Sequence, residues 1–538
     1  FPSPFCFIIY YNKRLTEMSR ESISPSSRSI SETDIERSID NIEQEPKCYD
    51  NIVPQQAILK APSFSVGSIN NYMKSRFTEL LPTKEYMQAN RDLLNPFPAI
   101  KEISGKQWLF ILSGLAAWTW DSFDFFTVNL NVDKLASDLK TDVKSITWGI
   151  TLVLMLRTVG AFIFGYFGDK YGSKWPFVVN LILMCILQIG TGFISTFKQF
   201  LGVRALFGIV MGGIYGNATA TALDDCPIKA KGFISGVLQQ GYALGYLLAV
   251  IFSRAIADTT PKSWRAQFWF AAGVSVLIIT ARVVLPQTDA YQKKKLEKAI
   301  EESSGVKTQS FEKKAANVLK YYWLMLVYMV LLMAGFNFMS HGSQDLYPTY
   351  LKTQLQFSDD RSTVTNCVAN LGAIFGGIVM GHFSNFLGRR FSIMICCILG
   401  GALIYPWAFI KNGGINAAVF FLQFGVQGAF GVIPIHLSEL STPAYEYRSF
   451  IVGIAYQLGN LASSASSTIE STIGEKFPLP EIGNDVYNYG KVMAIFMGCV
   501  FGYVLLITFI GPEIRIVRSQ EEEEEENAAI DDNEYEKV

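Results

Sequence analysis

Between residues 107 and 511 the chain alternates long apolar runs with short polar gaps. A helix needs about 20 apolar residues to cross a bilayer. Such runs fall at 107–130, 146–167, 175–196, 200–222, 233–254, 266–286, 321–345, 364–386, 391–410, 414–437, 449–470 and 490–511. The pattern predicts an all-α membrane protein of twelve transmembrane helices. The gap at 287–320 stands apart: it is long and hydrophilic, carries Lys293, Lys294, Lys295, Lys298, Lys313 and Lys314, and divides the spans six and six. Lys-rich connections stay in the cytoplasm, and with an even number of spans both termini follow. The reading is therefore an N-terminal tail (1–106), a six-helix half (107–286), a cytoplasmic loop (287–320), a second half (321–511) and an acidic tail (512–538).

The two halves resemble each other. GYFGDKYGSK (165–174) closes the second span and GHFSNFLGRR (381–390) the eighth, an offset of 216 (381 − 165). KGFISG (231–236) opens the fifth span and RSFIVG (448–453) the eleventh, an offset of 217 (448 − 231), which Gln240 and Gln457 share. Two matches at nearly one spacing predict a duplicated six-helix unit, the construction of many secondary transporters. The segment 165–174 resembles the loop motif of the major facilitator superfamily, with Gly165, Asp169, Lys170, Gly172 and Lys174 at its positions. The second copy keeps Gly381, Gly388, Arg389 and Arg390 but has Asn385 in place of the Asp. Glycines permit a tight turn between close helices. Asp169 can hold basic residues or a helix N-terminus in one conformation and release them in another. An ordinary charged turn is the alternative for either copy alone.

Composition narrows the function classes. Lys+Arg 46 against Asp+Glu 47 gives a net charge of −1, so no basic surface is available for nucleic acid. The 8 Cys show no metal-ligand or disulfide spacing. No nucleophile–base pair, metal constellation or phosphate loop is present, so the chain does not read as an enzyme and implies no cofactor. The stretch FCFIIYY (5–11) is too short and wrongly flanked for a signal peptide. The first Met is Met18, where translation is expected to start. Residues 19–60 and the EEEEEE run (521–526) read as disordered, solvated tails. Their Ser, Thr and Lys offer sites for trafficking and ubiquitylation machinery, with plain solubilising tails as the alternative.

An ionisable group at the bilayer centre costs about 2.5–3.5 kcal/mol on insertion scales, so it usually faces a cavity and a partner. Asp121 and Asp124 lie in span one, Arg157 in span two, His341 and Asp345 in the outer part of span seven. Glu439 and Arg448 flank the loop between spans ten and eleven and read as a gate pair. Arg157 stays charged at any working pH and can grip a carboxylate with two parallel hydrogen bonds. The alternative is a permanent ion pair with Asp121, Asp124 or Asp345. His341 and Asp345, four apart, share a helix face with Asn337 one turn earlier and Thr349 one turn later. Imidazole titrates near neutral pH, so such a pair can take up a proton on one side and lose it on the other. His382 and His436 sit near helix ends and read as interfacial or structural.

The stretch Asn337 to Thr349 matches every fixed position of N-x-x-[ST]-H-x-[ST]-Q-D-x-x-x-T. It resembles the fungal carboxylate:proton symporters of the lactate/pyruvate permease type, in the sialate:proton symporter branch of the major facilitator superfamily. AWTWDSFDFFTV (117–128), LMLRTVGA (154–161) and GVLQQGYALGY (236–246) look like the same family. The resemblance spans roughly residues 100–512. It implies Asn337, His341 and Asp345 in transport and proton coupling, Gln344 in substrate preference, Arg157 in anion binding and Gln457 as the cavity residue of the other half. The expectation is a plasma-membrane symporter importing lactate, pyruvate or acetate with protons. Arg157, Asn337, Gln344 and Gln457 would bind substrate, and His341 and Asp345, with Asp121 and Asp124, would couple protons. Gly165, Asp169, Lys170, Gly172, Lys174, Arg389, Arg390, Glu439 and Arg448 would gate. The alternatives are a malate/succinate carrier, a sugar or other-anion carrier and a nutrient sensor.

Overall fold

The computed structural model describes residues 64–513 apart from 90, 142, 258, 294, 297–310 and 482–486. The expectations for residues 1–63 and 514–538, disorder and tail modification among them, lie outside the described residues. Among those described, the chain is almost wholly helical. The first half holds α1 (Gly105–Leu130), α2 (Val143–Tyr171), α3 (Lys174–Thr191), α4 (Phe197–Gly212 and Ile214–Leu223), α5 (Ile228–Gln239 and Gly241–Phe252) and α6 (Trp264–Val284). The second holds α7 (Phe311–Gln344), α8 (Asp359–Leu387), α9 (Arg389–Ala402 and Ile404–Phe409), α10 (Ile415–Gly431 and Ile433–Leu440), α11 (Arg448–Ser463 and Ser466–Gly474) and α12 (Tyr489–Ile510). Nine of these are long and apolar enough by themselves to cross a membrane. The other three are α1, which carries Asp121 and Asp124, and α9 and α11, whose helical segments are short.

Polar residues set where the helices begin. Ser104 and Gln107 close a capping box on α1, Thr196 and Gln199 another on α4, and Ser358 caps α8 ahead of Asp359 and Asp360. The surface is inverted relative to a water-soluble protein: Leu277, Val284, Ile398 and Leu506 are exposed, while Asp121, Asp124, Arg157, Arg204 and Gln457 are buried. That distribution suits a chain whose outer solvent is lipid.

The halves meet through α2 on α11 and α5 on α8. Small residues make the second contact close: a Cβ on Gly236 would stand 2.4 Å from the Gly377 carbonyl oxygen. Ahead of α1 the structure departs from the polar-tail expectation. Short helices at Val66–Thr78, Lys84–Ala89 and Pro96–Lys101 precede it, the first and last capped by Ser65 and Asn95. Tyr72 Oη donates to Ile510 O (2.8 Å) and Tyr86 Oη to Asn385 O (2.9 Å). Ala99 and Ile103 are buried against Leu223, Cys226, Ala230 and Ile234. A few buried side chains and hydrogen bonds dock this segment although its mean composition is polar, so a hydropathy average conceals it.

Candidate functional site

Arg157 lies in the middle of α2, pressed against α4: a Cβ on Gly212 would fall 1.8 Å from the Arg157 carbonyl oxygen. Its side chain is 1% exposed. Nη2 contacts Met211 Sδ at 2.6 Å, the guanidinium sits 5.0 Å from the Phe125 ring, and Nε has no acceptor among the described residues. No carboxylate of a described residue pairs with it at ion-pair distance, so the permanent ion pair considered from the sequence is absent from this conformation.

Arg157 shares one cavity with Asn337, Ser340 and His341 of α7, Gln239 and Tyr242 of α5, Gln427 and Phe430 of α10, and Tyr456 and Asn460 of α11. The space amounts to about 10 Å³ for water centres, room for roughly one water. Tyr215 and Tyr456 stack at 3.9 Å with Trp118 edge-on at 5.1 Å from Tyr215, and form an aromatic wall. Polar side chains tie the wall together. Asn337 Nδ2 donates to Met333 O (2.8 Å) and Tyr456 O (3.5 Å), and Gln427 Nε2 to Ser340 Oγ (3.2 Å).

His341 Nδ1 lies 3.0 Å from Asp345 Oδ2, as four-residue spacing on one helix face requires. Its Nε2 lies 3.4 Å from Asn460 Oδ1, while Asn460 Nδ2 donates to Gln457 Oε1 (2.9 Å). Both ring nitrogens therefore face acceptors. An imidazolium beside a carboxylate fits this arrangement, and so does a neutral ring beside a carboxylic acid. Either form stores one proton in the pair.

The remaining sequence-selected residues divide. Gln344 borders a neighbouring cavity with Tyr246, Ser343, Tyr347 and Gln423, and its Nε2 donates to Gln423 Oε1 (2.9 Å). Gln457 is fully buried beside Asn460, with Nε2 unpartnered among the described residues. Asp121 is fully buried, has no hydrogen-bond donor among them, borders neither cavity, and feels Arg157 as its strongest favourable charge. Asp124 has a different partner. It pairs with Arg204 at 3.0 Å, both side chains buried, and Arg204 also donates to Thr191 Oγ1 (3.0 Å). That buried polar cluster links α1, α3 and α4, and Asp124 borders neither cavity. Arg204, 80 residues away (204 − 124), was not singled out from sequence, since nothing local marks it as a partner.

The gate residues also rearrange. Asp169 accepts the backbone N–H groups of Ser449 (3.2 Å) and Phe450 (2.8 Å), the N-terminus of α11. Asn385, its counterpart, accepts from Arg389 Nη1 (2.8 Å) and donates to Lys229 O (3.2 Å) in α5. Gly172 and Gly388 hold φ of 87° and 90°, a region that disfavours side chains. A Cβ on Gly165 would lie 3.0 Å from Phe450 Cα across the halves. Glu439 and Arg448 do not pair. Glu439 takes a two-pronged bond from Arg389 (2.7 and 3.0 Å), and Arg448 bridges the halves to Asp224 (3.0 Å). Nearness in sequence misled here, because the loop between them turns the two side chains to different helices. Arg390 anchors α12 through Thr508 O (3.0 Å) and the Val66–Thr78 helix through Arg76 O (3.2 Å). Lys170 donates to Tyr166 Oη (2.9 Å), and Lys174 lies over the Trp175 ring at 5.4 Å.

The family model described as Major Facilitator Superfamily matches residues 109–467. A "Carboxylic acid transporter protein homolog" of Saccharomyces cerevisiae is 39% identical over 467 residues, covering 84% of this chain and 75% of that protein. The "Cis,cis-muconate transport protein" of Acinetobacter baylyi is 25% identical over 350 residues, covering 63% of this chain and 81% of that protein. Among solved structures, the proton:xylose symporter XylE bound to 6-bromo-6-deoxy-D-glucose superposes with a TM-score of 0.60 at 16% identity, covering 76% of this chain and 97% of that one.

Proposed function

Because the chain belongs to the Major Facilitator Superfamily, and so is a multi-pass membrane transporter rather than an enzyme, we propose that it carries short monocarboxylates such as lactate, pyruvate and acetate together with protons. The observation that supports this most is the state of Arg157: a buried guanidinium bordering a cavity, in contact with a thioether and an aromatic ring and without a carboxylate at ion-pair distance among the described residues. An unpaired charge in such a place is costly and invites an anion. The carboxylic acid transporter relative at 39% identity favours the same substrate class. His341 and Asp345, 3.0 Å apart on the facing helix, supply the pair that would hold the proton.

The cycle runs as follows. With the halves parted on the outer side, a proton joins the His341–Asp345 pair and the carboxylate binds Arg157, with Asn337, Gln427 and the Gln457–Asn460 amides offering hydrogen bonds. Gln344, one cavity outward, sets substrate preference. Once anion and proton are both aboard, the chamber carries no uncompensated charge, and closing it costs less. The halves then rock. The Asp169 cap on α11 and the Arg448–Asp224 bridge release at the cytoplasmic end, which is taken to face the Lys-rich loop and both termini. One proton per monocarboxylate is electroneutral, so one pH unit supplies about 1.4 kcal/mol, or roughly tenfold accumulation. A plasma-membrane location and membership of the lactate/pyruvate type within the sialate:proton branch belong to the same proposal. The muconate relative favours a second reading, a dicarboxylate carrier. A second carboxylate calls for a second cation, and Arg157 is the one Arg or Lys among the described residues that line these two cavities. Purified protein in vesicles, given an outside-acid step and labelled lactate, tests the proposal. Uptake competed by pyruvate but not by glucose supports it. Competition by malate at lower concentration than lactate favours the dicarboxylate reading, and no carboxylate uptake refutes both.

A further inference from the structure

Glu470 sits in the outer segment of α11, Ser466–Gly474, beyond Gln457 and Asn460 on the same span. It is 0% exposed, and neither carboxyl oxygen meets a hydrogen-bond donor among the described residues. The segment packs against α7 and α12. From the α7 side the charged group acting on Glu470 is Asp345, itself paired with His341 one turn deeper. From α12, Tyr489 lies against Gly474 and Lys491 lies 4.5 Å over the Phe477 ring. A bare carboxylate at Glu470 would thus be buried, unbonded and beside a like charge, three unfavourable conditions at once. A neutral carboxyl removes all three. The site keeps an acid where a Leu or Met would pack without penalty.

We infer that Glu470 is a further proton-carrying residue, the outer member of a relay whose inner member is the His341–Asp345 pair. The inference rests on the proton-symport reading. In the relay the O–H bond of the Glu470 carboxyl breaks, its electron pair stays on the Glu470 oxygen, and a new bond forms to an Asp345 oxygen or a His341 nitrogen. Hydronium from the acidic outer side then gives its proton to the Glu470 oxygen and leaves as water while the halves are parted. Mutual repulsion between Glu470 and Asp345 passes the charge inward: ionising one favours protonating the other.

The test uses full-length protein in vesicles and compares Glu470→Gln with Glu470→Asp. Two quantities are read with labelled lactate: accumulation driven by an outside-acid step over a range of external pH, and exchange of labelled for unlabelled substrate at equal pH on both sides. The relay predicts that Glu470→Gln keeps exchange within about twofold of wild type, while driven accumulation falls about tenfold, the equivalent of one pH unit of drive. Glu470→Asp, which keeps the acid, retains accumulation with a displaced pH profile. A wild-type pH profile in Glu470→Gln overturns the relay. So does the reverse order, the isosteric Gln tolerated and the shorter Asp harmful, which marks packing alone. Parallel loss of exchange and accumulation in both variants also overturns it. If wild-type vesicles exchange lactate but never accumulate it with acid, symport itself fails and the relay falls with it, a result read from the wild-type arm alone.

Discussion

Replacing Arg157 separates the account most sharply from a purely structural one, because activity and stability should move in opposite directions. Hydrogen bonds to a charged group contribute about 1.5–3 kcal/mol each. Arg157→Lys keeps the charge but loses the planar fork, and with it roughly one such bond. The half-saturating lactate concentration should rise roughly 10- to 100-fold, since about 1.4 kcal/mol corresponds to a factor of ten. Without substrate, the guanidinium touches Met211 and Phe125 and has, among the described residues, no carboxylate at ion-pair distance, Asp121 acting on it only from further off. Arg157→Met should therefore abolish uptake while leaving thermal stability unchanged or raised by about 1–2 kcal/mol. The assay pairs initial uptake rates in vesicles with a thermal melt in detergent. Unchanged half-saturation in Arg157→Lys would remove the residue from the binding site. A loss of about 3–5 kcal/mol in Arg157→Met would be the signature of a broken permanent ion pair and would refute the anion-clamp reasoning.

Other consequences are as specific. His341→Ala and Asp345→Asn should each abolish acid-driven accumulation yet retain exchange at equal pH, measured in the same vesicles; full accumulation in either variant excludes that residue as a proton holder. Asp124→Asn strands Arg204 in a buried site and should cost about 3–5 kcal/mol in the melt, with proton coupling intact in the protein that survives. Burial pushes the Cys226 thiol up to about 12, so at pH 8 almost none is thiolate and alkylation should be slow. Gly236→Val wedges α5 from the Gly377 carbonyl. It should speed Cys226 alkylation several-fold, read by mass spectrometry, as opening returns the thiol toward about 8.5; an unchanged rate would show that this contact does not hold the gate.

Legibility in the sequence followed the range of the interaction. The spans were readable because lipid imposes a length on each one, and the repeat because both halves preserve close-packed glycines such as Gly165 and Gly381. The His341–Asp345 contact was readable because helix geometry alone brings residues four apart together. Contacts between distant segments were not. Asp124 looks like a free acid until α4 delivers Arg204, and Glu439 looks like the partner of Arg448 until α9 delivers Arg389. Glu470 closes the apolar run of span eleven and was not singled out from sequence, yet it is buried in the second segment of α11. The docked helices before α1 escaped because isolated buried residues such as Ala99 and Ile103 scarcely raise the average hydropathy of a polar stretch.

The central claim is that carboxylate and proton share one chamber between α2 and α7. Proton uptake on substrate binding tests it directly: purified protein in weakly buffered detergent near neutral pH is titrated with lactate while the pH is recorded. The account predicts about one proton taken up per lactate bound, with the uptake lost in His341→Ala. Saturable lactate binding that takes up no proton at any pH from acid to neutral would contradict it.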